Sequence, residues 1–184
     1  MTKKIVISLA VIAALAFGFL YARGLLSVHE GLTPPPSLAA LTLEKTPKPA
    51  PDVGFTDAAG TRHALSTFRG RYVLLNLWAT WCGPCVAELP ALARLSVYAP
   101  GLRVLAINMD KGQVDAAAFL KSHSAKALAV YRDSDVVMLR SFGAYGLPMT
   151  VLIDPDGKIV AKAEGPADWD NPEAVKYFKR ITGS

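Results

Sequence analysis

A mixed α/β fold, with helices on both faces of a central sheet, is what this sequence predicts. Three observations carry it. Apolar runs of strand length recur at residues 72–78, 102–109 and 149–153. Helix-like stretches alternate with them at about 84–98, 113–123 and 135–142. After the last run, Asp154-Pro155-Asp156-Gly157 leads into a further strand-like stretch at 159–163, which reads as an antiparallel hairpin. Strand and helix in alternation, then a hairpin and a closing helix, describe a sheet of mixed direction. At 184 residues the chain is long enough for one domain with a proper core.

The elements follow in order. Lys3 and Lys4 precede 18 uncharged residues, 5–22, and Arg23 is the first charge after them. As a helix this stretch would span ~27 Å at ~1.5 Å per residue, close to the ~30 Å of a hydrocarbon core. Residues 1–26 therefore read as a single-pass anchor in the inner or cytoplasmic membrane. The two lysines stay on the cytoplasmic side, which puts the rest in the periplasm or cell exterior. The alternative is a cleavable signal peptide. Cleavage after Ala22 would put Leu20 where a small residue is wanted, and cleavage after Ala16 would leave a short apolar core. Both readings give the same compartment.

Residues 27–51 hold six of the thirteen prolines. Proline lacks an amide donor and fixes φ, so this stretch reads as a Pro-rich linker, a semi-extended tether. An irregular arm packed on the domain is the alternative. The folded domain is expected over residues 52–184. It should open with a hairpin, 53–56 and 61–65, around a turn that Gly60 permits. The run 72–78 suits a strand buried on both faces. The helix at 84–98 contains Pro90, which should kink it. A short strand is expected at 127–131. Asn171 and Pro172 supply a cap and a first-turn proline for a last helix ending near residue 181.

Charge narrows the function. The formal net charge of +5 divides into +3 for residues 1–50 (five Lys/Arg, two Glu) and +2 for residues 51–184 (fifteen Lys/Arg, thirteen Asp/Glu). No basic run interleaves with aromatics, so the charge reads as a solvated surface and gives no nucleic-acid-binding face. The 52% hydrophobic content owes much of its excess to residues 5–26.

The chemistry lies in Trp81-Cys82-Gly83-Pro84-Cys85, which holds both cysteines of the protein. As a metal site the pair supplies two ligands where structural zinc needs four. His29, His63 and His123 show no ligand spacing. As a structural staple, so short a loop excludes little unfolded-chain entropy. As a redox pair, a position between a buried strand and a helix is what the chemistry requires. The helix N-terminus would favour a thiolate on the first sulfur, and the thiolate is the nucleophile of disulfide exchange.

Trp81 to Cys85 resembles the thioredoxin active site residue for residue. The longer stretch 76–90 is similar to the membrane-anchored, extracytoplasmic TlpA/ResA/CcmG branch of that superfamily, and residues 146–154 match its second motif. The segment 104–135 resembles the branch's central strand–helix insertion. The resemblance covers residues 52–182. It implies a thioredoxin-like fold with an N-terminal β-hairpin, a thiol:disulfide oxidoreductase, and no cofactor beyond a redox-active Cys82–Cys85 disulfide. It also implies that Cys82 attacks and Cys85 resolves. Pro148 corresponds to a cis proline beside the cysteines, with Leu147 offering backbone groups to substrate. Trp81, Gly83 and Pro84 complete the docking surface. Glu88, three residues after Cys85, falls on the same helix face, where it could exchange protons with the thiols. Ordinary thioredoxins carry an aspartate six residues before the first cysteine. Asn76 stands there and cannot exchange protons, which makes Glu88 the better candidate. Trp78 and Trp81 are read as packing and shielding residues, with Trp81 also shaping the docking surface.

The resemblance further implies a reductant. Gly-Pro between the cysteines is the reducing thioredoxin type, ~−270 mV against ~−120 mV for the oxidant DsbA. A reductant in an oxidising compartment needs electrons delivered, hence a transmembrane donor of the DsbD type. The expected substrates are exported proteins with cysteine pairs, such as apocytochrome c or copper-site assembly factors. The rival readings are a disulfide oxidant or isomerase, and a copper-assembly chaperone using the thiols as soft ligands. Met109, Met138 and Met149 would be the nearest thioethers for the latter.

Overall fold

A computed structural model of the chain describes residue 18 and residues 32–184. The expected anchor at 1–26 and the first part of the linker lie outside them, except residue 18. No helix among the described residues is long and apolar enough to cross a membrane. The chain divides into residues 1–33 and residues 34–184, and the second unit carries the sheet.

Its strands are β1 (Thr42–Pro49), β2 (Gly54–Asp57), β3 (Arg62–Ala64), β4 (Val73–Trp78), β5 (Arg103–Asn108), β6 (Tyr131–Arg132), β7 (Met149–Ile153) and β8 (Lys158–Glu164). The helices are α1 (Gly83–Tyr98), α2 (Ala116–Ser122), α3 (Val137–Ser141) and α4 (Pro172–Thr182). All eight strands join one sheet in the order β1-β8-β7-β4-β5-β6-β2-β3. β4 runs parallel to β5 and antiparallel to β7. Every residue of β4 and β7 is buried, as expected for strands covered on both faces.

Alternation along β4 assigns its faces. Val73, Leu75 and Leu77 join a core with Leu105, Ile107, Val151 and Met138, so α3 lies on that side. Asn76 and Trp78 point the other way, Asn76 to Glu88 of α1 and Trp78 to Phe119 of α2. Helices thus cover both faces. Pro90 lies inside α1, which continues to Tyr98. The Asp154 turn forms as its sequence requires. Gly157 takes φ +81°, and Lys158 N donates to Asp154 Oδ1 at 2.8 Å.

The reading of residues 27–51 as a tether is corrected over its second half. β1 pairs antiparallel with β8, with Thr42 opposite Lys162 and Pro49 opposite Lys158, and its register shifts between Leu43 and Lys48. A short 3-10 turn, Pro36–Leu38, precedes it and lies against α4 with Leu38 buried. The folded unit therefore begins well before Asp52. The prolines do not prevent pairing because β1 is an edge strand, with one side needing no ladder partner. Two smaller differences follow from local competition. Asp115 takes the amide of Ala118 at 2.9 Å and caps α2, which starts at Ala116 instead of Gln113. The strand expected at 127–131 is reduced to Tyr131–Arg132, which bridges β5 to the hairpin β2–β3.

Candidate active site

β4 ends at Trp78, and the chain turns over Ala79–Cys82 into α1. Cys82 N donates to Ala79 O at 3.1 Å, which closes the turn. Cys82 is the N-cap of α1 and its Sγ accepts from Cys85 N at 3.3 Å. An uncovered helix amide thus meets the first sulfur, and the same contact would stabilise a thiolate there. Cys82 and Cys85 form a disulfide. Cys82 is 5% exposed and Cys85 0%, so the first sulfur is the one with access to a partner.

The β4–β7 register brings the second motif to the same end of the sheet. Met149 pairs with Leu77, so Leu147 and Pro148 enter beside the exit of β4. The Leu147–Pro148 peptide is cis. Pro148 is buried, its carbonyl accepting from Gly165 N at 2.9 Å, and Leu147 is half-buried against the core. Gly83 and Pro84 are exposed, and Trp81 is 72% exposed, so it presents its ring to solvent instead of packing inward. Tyr145 is exposed in the loop before Pro148, a surface aromatic that a search for motifs passes over.

Glu88 is 4% exposed on α1, one turn beyond Cys85. Its Oε1 accepts from Asn76 Nδ2 at 2.8 Å. Its Oε2 accepts from Trp169 Nε1 at 2.7 Å and Ala167 N at 3.2 Å. Burial pushes the carboxyl above the ordinary glutamate value, partly opposed by the bonds from Trp169, Asn76 and Ala167. Asn76 Nδ2 also donates to Thr150 Oγ1 at 2.9 Å, while Asn76 Oδ1 has no hydrogen-bond partner. Asn76, read as unable to exchange protons, and Glu88, the candidate for it, are thus directly bonded. Trp78 is buried as expected. Nothing in the local sequence of Trp169, Ala167 or Thr150 marks a partner 74 to 81 residues away.

This combination of a cysteine pair capping a helix, a cis proline loop beside it and a mixed sheet beneath defines a thioredoxin-like thiol–disulfide oxidoreductase. The chain belongs to the AhpC/TSA family, which matches residues 46–162. It is 32% identical over 137 residues to the thiol-disulfide oxidoreductase ResA of Bacillus thuringiensis subsp. konkukian, covering 73% of this chain and 78% of that protein. Among solved structures it is similar to a thiol:disulfide interchange protein from Bacteroides sp. (TM-score 0.63, 26% identity, 76% of this chain and 91% of that one). It is also similar to the exposed lipoprotein thioredoxin Etrx1 of Streptococcus pneumoniae (TM-score 0.58, 28% identity, 70% and 98%). Its activity is thiol–disulfide exchange.

Proposed function

We propose that the protein is a membrane-tethered, extracytoplasmic reductant of disulfides in exported proteins. The observation that carries the chemistry is Cys82 at the N-cap of α1, its sulfur against the Cys85 amide. In the reduced protein, the Cys82 thiolate attacks one sulfur of a substrate disulfide. That S–S bond breaks, a mixed disulfide forms, and the released substrate thiolate takes a proton. Cys85 then gives up its proton and attacks Cys82 Sγ, the mixed disulfide breaks, and the substrate leaves as a dithiol. Two electrons pass to the substrate and Cys82–Cys85 is again a disulfide. Glu88 is the group suited to take the Cys85 proton, since burial holds its pKa up toward the range where it can accept and return one. Trp81, Gly83, Pro84, Leu147 and Pro148 form the surface against which an extended substrate segment docks.

The uncharged stretch 5–22 supports the tether, and the name of the pneumococcal relative, an exposed lipoprotein, supports the compartment. Gly83-Pro84 supports the reducing direction. Electrons would come from a transmembrane donor of the DsbD type, and substrates would include apocytochrome c or copper-site assembly factors. A redox titration combined with Cys85→Ser trapping in membranes tests the reading. A low potential and exported proteins held on Cys82 are expected. A potential well above ~−200 mV would move the protein to the oxidants and isomerases. Tight stoichiometric Cu(I) binding without disulfide reduction would make it a copper chaperone.

A further inference from the structure

A second buried carboxyl group stands beside the cysteine turn, and the exchange chemistry above does not use it. β4 and β5 are parallel, with Trp78 in register with Asn108. Met109 N donates to Trp78 O at 2.8 Å just beyond that pair. The next residue, Asp110, is 3% exposed and reaches across to the turn. Asp110 Oδ2 accepts from Thr80 N at 3.0 Å, and Oδ1 accepts from Thr80 Oγ1 at 3.1 Å. Asn108, itself buried, donates its Nδ2 to Oδ2 at 2.6 Å and accepts from Asp110 N at 3.3 Å.

Burying a carboxyl group is costly unless its oxygens are satisfied. Here both are, and two of the three side-chain bonds go to one residue, two positions before Cys82. Thr80 lies inside the turn that Cys82 N closes on Ala79 O. We propose that Asp110 is a positioning residue for the nucleophile: by clamping Thr80 it holds the Ala79–Cys82 turn so that Cys82 Sγ meets the Cys85 amide. Loosening the clamp separates the sulfur from that amide and from the helix N-terminus, and the thiolate loses its stabilisation. The proposal rests on dithiol exchange and is independent of its direction.

The sign of one measurement separates this from the other roles a buried carboxyl group can have. The reduced full-length chain is alkylated with iodoacetamide across pH, adduct on Cys82 is counted by mass spectrometry, and thermal unfolding is followed in parallel. Asp110→Ala should move the profile to higher pH and slow alkylation at neutral pH roughly tenfold. Thr80→Val, which removes only the hydroxyl bond, should move it the same way by roughly threefold. Asp110→Asn should stay within about twofold of the wild type. Its amide oxygen can take the Thr80 and Asn108 N–H donors, and its NH2 can donate to the Thr80 hydroxyl.

A shift to lower pH in both Asp110 variants would mean that the group acts on the thiol by charge alone, and would overturn the proposal. So would an unchanged profile with a lowered melting temperature, the signature of a merely structural carboxyl group. If Asp110→Ala does not fold, Thr80→Val decides, and an unchanged profile there overturns the clamp. Alkylation reads the thiolate and not the direction of electron flow. An oxidising potential would therefore defeat the reductant reading and leave this result standing.

Discussion

Glu88 and Asp110 are both buried carboxyl groups next to the cysteine segment, one behind Cys85 on α1 and the other against the turn ahead of Cys82. Their partners differ in kind. Glu88 draws donors from Asn76 on β4 and from Ala167 and Trp169 in the loop between β8 and α4. Its neighbour Asn76 keeps an unpartnered amide oxygen, and burial holds the carboxyl's pKa up. Asp110 is bonded to Thr80 and Asn108, at the ends of adjacent parallel strands. The first arrangement suits a group that exchanges a proton, the second a group that fixes a backbone. Burial alone does not distinguish the two roles; the partners do.

The comparison can be broken or sharpened in steps. The largest effect is expected from Glu88→Gln combined with Asp110→Ala. The two carboxyl groups share no hydrogen-bond partner, so their losses in exchange rate should multiply. A double variant no slower than the worse single one would mean that they act as a unit.

Glu88→Gln alone should slow exchange by about a hundredfold, within the range for a lost general acid–base group, and should flatten the pH–rate profile. An unchanged profile would return Glu88 to a packing role. The same variant carries a stability test with a definite sign. Because the folded pKa is raised, the folded state holds the Glu88 proton more tightly than the unfolded chain. That contribution is fully present below the ordinary value of 4.5 and is lost as pH rises through the raised value. Asp52, lowered by its Ser66 bonds, and Asp57, lowered by His63, act in the opposite sense, losing stability as pH falls. Denaturant melts of wild type minus Glu88→Gln across pH cancel those two and should leave a negative slope with pH.

Trp169→Phe removes the shortest bond to Glu88 and should cost about 1–3 kcal/mol. It should also push the Glu88 pKa further up, moving the pH–rate profile to more alkaline values. The smallest effect is expected from Thr150→Val. It takes one acceptor from Asn76 and should cost about 1 kcal/mol in a denaturant melt, because the bond to Glu88 remains.

Much of this arrangement was legible in the sequence wherever the signal was local. The apolar run at 72–78, the cysteine spacing and the Asp154–Gly157 turn each depend on a few neighbouring residues, and each formed where expected. Glu88 was legible as a candidate because three residues from Cys85 is a helical interval. What surrounds it was not. Trp169 lies 81 residues away, and nothing near it announces a carboxyl partner. Asp110 was missed for the same reason, since its bonds to Thr80 span 30 residues. The prolines at 47 and 49 misled in the opposite direction. They correctly exclude a central strand, but an edge position against β8 removes the penalty, and edge status belongs to the whole sheet.

By itself, the sequence determined the reactive pair, the strand and helix that carry it, and the alternation that makes the sheet mixed. Backbone propensity, turn chemistry and apolar periodicity act over a few residues and need no partner. Only the tertiary structure decided which donors close on the buried carboxyl groups beside those cysteines. A carboxyl group becomes a proton carrier or a clamp through the donors that close on it, and strand register and helix packing bring those donors from distant parts of the chain.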